Sequence, residues 1–154
     1  MIKCVLYFCC KLKKVLKGAK MDQAKLKLLI VDDEKEVCEY TASHLKRKGY
    51  DALVANAPEE AITVIKEQNP DLMILDMNLP GMSGADLLKI VRQFNTSVKV
   101  IMISGYPLDI QKDPQFSGLN ISEFMQKPVP LSALDSMLAK ITNKEKDGHT
   151  QIDS

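Results

Sequence analysis

Long hydrophobic runs are missing from this 154-residue chain. No stretch of about 18 or more apolar residues occurs, so no membrane-spanning helix is expected. Cysteine is nearly missing from the body of the chain. Of Cys4, Cys9, Cys10 and Cys38, three fall within the first ten residues. The body therefore cannot build a disulfide framework and reads as a reduced, intracellular domain of the cytoplasm. Positive charge is also short there. Residues 1–27 hold eight Lys and one Asp, a charge of +7, whereas the rest holds 13 basic and 19 acidic side chains, a charge of −6. An acidic body lacks the clustered Lys and Arg that phosphate backbones require, so a nucleic-acid partner is not expected.

The basic arm, residues 1–25, also lacks what a secretory signal needs. Most of its charge follows its apolar stretch, and no A-x-A cleavage site appears. The preferred reading is a disordered extension, with the working protein starting at Met21. The alternative is a peripheral membrane contact, with Leu, Val, Tyr and Phe inserted and Lys on anionic lipid. Cys4, Cys9 and Cys10 have no second Cys/His pair at ligand spacing, which argues against zinc.

What is present from Leu26 onward is regular alternation. "LKLLIV" (26–31) is a short aliphatic run, as expected of a strand covered on both faces. A helix is expected over about 35–48, with Cys38, Thr41, Ala42 and Leu45 on one face and Gly49 as its stop. "YDALVAN" (50–56) is a second strand. A second helix starts at Pro58, carries Ala61, Ile62 and Ile65 inward, and ends at Asn69-Pro70. "DLMILD" (71–76) is a third strand, and "MNLPGMSG" (77–84) is turn chemistry. Ser83 precedes a third helix with Leu87, Ile90, Val91 and Phe94 at helical spacing. "VKVIMIS" (98–104) and "ISEFMQ" (121–126) complete five strands. Between them, Pro114 and Gly118 interrupt residues 107–120, predicting a short distorted helix or a loop. A last helix is expected over about 130–141, and a disordered polar tail over 143–154. Alternating strands and helices predict an α/β fold, a doubly wound five-stranded parallel sheet with helices on both faces.

In such sheets ligands bind outside the carboxyl ends of the strands. Asp32 and Asp33 sit at the first such end, Asp76 at the third, Ser104 at the fourth and Lys127 just past the fifth. The second end offers only Asn56-Ala57. Two unit charges about 4 Å apart repel by roughly 4 kcal/mol at an effective dielectric of 20. Three carboxylates there need compensation beyond one lysine, and all-oxygen ligands favour Mg²⁺ or Mn²⁺. The edge reads as metal and phosphate chemistry, with a carboxylate as nucleophile. Taken singly, these residues have plainer readings: Asp32-Asp33 as a helix cap, Lys127 as a solvated side chain, Phe124 as core. His44 lacks an acidic partner pattern on its helix and reads as packing; His149 lies in the tail.

The motifs "LLIVDDE", "DLMILDMNLPGMSG", "VIMISG" and "FMQKP", in this order, resemble the response-regulator receiver domain of two-component signalling over residues 26–142. The resemblance implies a flavodoxin-like sheet of order 2-1-3-4-5, an order the doubly wound class is known to use. It implies Asp76 as phospho-acceptor, with Asp33, Asp76 and the Asn78 backbone carbonyl on the metal and Asp32 assisting through water. Lys127 would pair with phosphoryl oxygens, ahead of a cis Lys127-Pro128 bond. Ser104 and Phe124 would be the switch pair. The implied partners are a sensor histidine kinase or histidine phosphotransfer protein and a downstream protein. The domain would catalyse only its own phosphorylation and dephosphorylation and so is not classed as an enzyme. Only a short polar stretch follows the last helix, so a stand-alone receiver without an output domain is expected. Three departures from the family pattern stand out: Ser104 for the commoner Thr, Phe124 without a phenolic hydroxyl, and no well-formed helix in 107–120. A phosphorylation-independent interaction module is the alternative. A haloacid-dehalogenase-like phosphatase fits poorly, because it would want an early D-x-D nucleophile motif.

Overall fold

The computed structural model describes residues 25–107 and 112–147. The arm before them and the tail past Asp147 lie outside the described residues, and with them the expectations of disorder and of membrane contact. Five strands form one parallel sheet: β1 (Lys27–Val31), β2 (Asp51–Ala55), β3 (Leu72–Asp76), β6 (Lys99–Ser104) and β7 (Glu123–Gln126). Their order is β2-β1-β3-β6-β7, which is the expected 2-1-3-4-5 counted over these five. A small antiparallel pair, β4 (Asn78–Leu79) and β5 (Met82–Ser83), occupies the segment read as turn chemistry. Pro80 and Gly81 join it, Gly81 at a φ of 76°, the left-handed position that a Pro-Gly type II turn requires.

Among the described residues four α-helices cover the sheet: α1 (Lys35–Arg47), α2 (Pro58–Gln68), α3 (Gly84–Arg92) and α4 (Leu131–Asp147). Side chains alternate along each strand, so the core divides by parity. Leu28, Ile30 and Ile74 pack with Cys38, Ala42 and Leu45 of α1 and with Leu134, Leu138 and Ile141 of α4. Leu29, Met73, Leu75 and Met102 pack with Ile65 of α2 and with Leu87, Leu88 and Val91 of α3. Both strand faces are therefore dry, which is why these strands read as unbroken aliphatic runs. No described helix is long and apolar enough to cross a membrane.

Three details differ from the sequence reading. α3 stops at Arg92, so Phe94 leaves the apolar stripe and is exposed, with the Lys66 ammonium 4.9 Å from its ring centre. α4 continues to Asp147, taking in residues 143–147 that were assigned to the tail. The Lys-Glu-Lys run there suits a helix, and nothing breaks it before Gly148. Among the described residues of 107–120 the only helix is a 3₁₀ turn, Pro114–Phe116. Phe116 and Leu119 are buried there. Arg92 holds the neighbouring turns, donating to the carbonyls of Asn95, Val98, Leu119 and Asn120 at 2.8–3.2 Å.

Candidate functional site

The register of the sheet assembles the site. Val31 pairs with Leu75. The next residue of each strand is therefore level, and those residues are Asp32 and Asp76. Both are buried, Asp32 at 7% and Asp76 at 4% exposure, while Asp33 is exposed. Asp76 pairs in turn with Ile103, which puts Ser104 one step further out, fully buried at the end of β6. A slip of one residue would send the carboxylates to opposite faces.

The same local bond recurs at all three strand ends. Asp32 Oδ1 accepts from the Glu34 amide at 2.9 Å, Asp76 Oδ1 from the Asn78 amide at 3.1 Å, and Ser104 Oγ from the Tyr106 amide at 3.1 Å. Each side chain thus turns its own chain two residues on. Each aspartate keeps a second oxygen free for the site. Both second oxygens meet the Lys127 ammonium: Asp76 Oδ2 at 2.8 Å and Asp32 Oδ2 at 3.1 Å. Burial works against the charge on Lys127, but the hydrogen bonds to Asp76 and Asp32 outweigh it and hold its pKa above the ordinary value. Lys127 reaches this position because its amide donates to the Ser104 carbonyl at 2.8 Å, extending the β6–β7 ladder, and a cis Lys127-Pro128 bond follows.

One carboxylate oxygen from each of Asp32, Asp33 and Asp76 lies within 4.8 Å of the other two. At that separation each pair repels by roughly 3–4 kcal/mol at an effective dielectric of 20. One lysine cannot neutralise three carboxylates. The all-oxygen donor set fits a hard divalent cation, with Asp33 the exposed, unbridged member. Phe124, two residues before the end of β7, is half-buried against the core beneath α2 and α3. Asp32 is both a local turn-former and a site member. The cap of α1 falls on Glu34 instead, whose carbonyl accepts from the Cys38 amide.

Sequence reasoning passed over three contributors. Asn56, at the strand end said to offer little, donates its side-chain amide to the Asp32 carbonyl at 2.9 Å. Cys38 Sγ donates to the same carbonyl at 3.3 Å. Burial first, and then the Asp32 charge, push the Cys38 thiol up to about 11, so it stays a neutral donor. Gly84 opens α3 directly against β3; a Cβ there would overlap the Asp76 carbonyl oxygen and stand 3.0 Å from Met77 Cα. The signal for Gly84 was a glycine inside a helix start, where it is disfavoured unless space requires it. His44 does find an acidic partner, Asp135 Oδ1 at 2.9 Å, but from α4 and not from its own helix. Among the described residues no buried side-chain polar atom lacks a partner.

The chain matches the family of response regulator receiver domains over residues 28–139. The alkaline phosphatase synthesis transcriptional regulatory protein PhoP of Bacillus subtilis is 33% identical over 107 residues, which is 66% of this chain and 42% of that protein. The chain spans about two fifths of the length of the curated relatives it matches. A response regulator receiver protein from Pseudomonas putida superposes with a TM-score of 0.68 at 31% identity, covering 76% of this chain and 98% of that one. The response regulator TrrA of Thermotoga maritima, solved in complex with Mg²⁺ and BeF, superposes with a TM-score of 0.65 at 28% identity, covering 75% and 97%. With its sheet order and its acidic strand ends, this chain belongs to the response regulator receiver domain family of two-component signalling.

Proposed function

We propose that this domain accepts a phosphoryl group on Asp76, in the cytoplasm, from a phosphohistidine of a sensor histidine kinase or histidine phosphotransfer protein. The observation that carries this reading is the convergence on Lys127. Its ammonium bridges the free oxygens of Asp76 and Asp32 while Asp33 closes an all-oxygen cluster. The TrrA complex with Mg²⁺ and BeF adds support by likeness. Asp33, Asp76 and the Asn78 carbonyl would hold Mg²⁺ or Mn²⁺, with Asp32 assisting through water. A bound cation supplies neutralising charge for the phosphoryl oxygens.

A carboxylate oxygen of Asp76 forms the new P–O bond as the P–N bond of the donor breaks and its electron pair returns to the imidazole. The Asn78 amide and Lys127 fix that carboxylate in place, which lowers the orientational cost of attack. The product carries nearly two negative charges. Lys127 then pairs with phosphoryl oxygens, and the Ser104 hydroxyl turns from the Tyr106 amide toward them. Half-buried Phe124 follows into the space released, altering the surface around β7 and α4 that a downstream protein reads. The captured group stays on the domain and changes the domain itself, so the activity is signalling and not turnover of a separate substrate.

Incubation with Mg²⁺ and a small phosphodonor, followed by intact-mass measurement, tests the assignment. One added phosphoryl group is expected, absent when Mg²⁺ is chelated before the donor is added and absent in Asp76→Asn. Equal labelling of Asp76→Asn sinks the assignment. No labelling by a donor or any kinase favours the interaction-module alternative.

A further inference from the structure

A groove of about 460 Å³ lies between α1 and α4 and ends at the carboxylates. Small-molecule sites commonly enclose about 300–1,000 Å³ and are mostly apolar, with a few placed polar groups. Here the walls are Val37 of α1 and Val129 and Leu131 at the entry to α4. The floor is Ile30, Ile74 and Leu134, each 3% exposed, so the groove reaches down to the sheet itself. Beyond Thr41 and Leu134 the two helices are tied together, with His44 and Lys48 meeting Asp135 at 2.9 and 3.3 Å. The groove is therefore deep and bounded at that end, a shape that suits a small molecule and not a helix laid across it.

Two polar features mark this trough. Thr41 lines it, and its hydroxyl has no hydrogen-bond partner among the described residues. The hydroxyls of Thr63 and Thr142 instead donate to carbonyls of their own helices, as helical threonines commonly do. At the mouth, Asp32, Glu34 and Asp76 face a single cation, Lys127. Lys127 spends its hydrogen bonds on Asp76 and Asp32, at 2.8 and 3.1 Å, and stands 4.0 Å from Glu34. The Glu34 carboxylate, 65% exposed, is the least neutralised of the three. An apolar trough that ends in excess negative charge is complementary to a molecule with an apolar body and a positive head. We propose that this groove is a binding site for a small apolar cation, an amine or guanidine on an aliphatic or aromatic body. Its head meets Glu34 and Asp32, its body lies on Val37, Val129 and Leu131, and the Thr41 hydroxyl is free to bond a polar atom on that body. The ligand and a divalent cation at the strand ends answer to the same negative charge. Each therefore weakens the other, and by the same factor. Binding stands on the groove and its charges; the antagonism to metal rests on the cation and phospho-acceptor reading above.

The test uses the full chain and three probes that share one body: phenylbutylamine, phenylbutanol and phenylbutyrate. Each is titrated without metal and followed by methyl NMR. The amine should shift the methyl groups of Val37, Val129 and Leu131 saturably, with a Kd about tenfold below that of the alcohol, and the carboxylate should not bind. Glu34→Gln, at an exposed position, should remove most of the amine's advantage and leave the alcohol's Kd unchanged. Thr41→Leu, which fills the groove from a half-buried position, should abolish binding of both. Equal Kd values for amine and alcohol overturn the cationic ligand. Shifts that fall away from these residues, or none from any probe, overturn the site. Saturating Mg²⁺ should raise the amine's Kd several-fold and leave the alcohol's alone, and the amine should slow labelling of Asp76 by a small phosphodonor. An amine that binds in the groove with a Kd indifferent to Mg²⁺ overturns the antagonism. Absence of labelling under every condition would instead strike the phospho-acceptor reading, and the methyl shifts would still decide the ligand site.

Discussion

The two aspartates at the end of β1 are adjacent in sequence and unlike in environment. Asp32 is buried and spends its oxygens on the Glu34 amide and Lys127, while Asp33 stays exposed. Removing the Asp33 charge should therefore have effects of opposite sign. Asp33→Asn relieves repulsion and should raise metal-free stability by up to about 1 kcal/mol. The same change should weaken Mg²⁺ binding at least about tenfold, a loss of about 1.4 kcal/mol. Urea unfolding without metal and calorimetric titration with Mg²⁺ check the two signs. Gly84 gives a second residue-level expectation. In Gly84→Ala the new methyl group meets the Asp76 backbone, which cannot swing aside as a side chain can. A loss of about 1–3 kcal/mol is expected by urea unfolding, with slower Asp76 labelling, since the clash displaces that residue. The sequence showed which residue types converge here, because each lies at a recognisable strand end. It did not show that Asn56 and Cys38 hold the Asp32 carbonyl, because both contacts depend on how α1 and β2 pack beside β1.

Elements were legible where periodicity was strong. The five strands and four helices fall close to the stretches read from apolar spacing, and Ser83 caps α3 by accepting from the Asp86 amide. They were less legible at ends decided by contacts. Phe94 fits the helical repeat, yet α3 closes before it, and Asn95 Oδ1 turns the chain by accepting from the Ser97 and Val98 amides. The link between α1 and α4 is likewise tertiary. His44 and Lys48 converge on Asp135, at 2.9 and 3.3 Å. Burial works against the Asp135 charge, but the bonds to His44 and Lys48 prevail and hold its pKa below the ordinary 3.8. A carboxylate with a lowered folded pKa stabilises the fold above its ordinary value and loses that contribution as pH falls through the folded value. Wild type should therefore exceed Asp135→Asn in stability by no more than about 1 kcal/mol at neutral pH. That gap should close below pH 3.8, as read from urea midpoints between pH 7 and pH 3.

At the scale of the whole molecule, site and stability are linked. A cation held only by the folded domain should stabilise it by about 2.7 kcal/mol at a hundred times its Kd. For a domain of this size that is a rise in Tm of roughly 10 °C. Differential scanning fluorimetry across a Mg²⁺ series should show the rise in wild type and little of it in Asp33→Asn at the same concentrations. A Tm indifferent to Mg²⁺ would argue against a cation site in this cluster.

The alternation of aliphatic runs with helical repeats was enough to determine the α/β architecture, since a strand dry on both faces and a helix apolar on one stripe leave few ways to pack. The order and identity of Asp32, Asp33, Asp76, Ser104 and Lys127 were likewise in the sequence. Register was not. Only the pairing of Val31 with Leu75, and of Asp76 with Ile103, brings residues tens of positions apart within reach of one ammonium group. Such pairing depends on hydrogen bonds and side-chain packing across strands, and the linear pattern of one strand carries no record of its neighbour. The groove between α1 and α4 was hidden for the same reason: its walls come from elements that meet only in the folded chain.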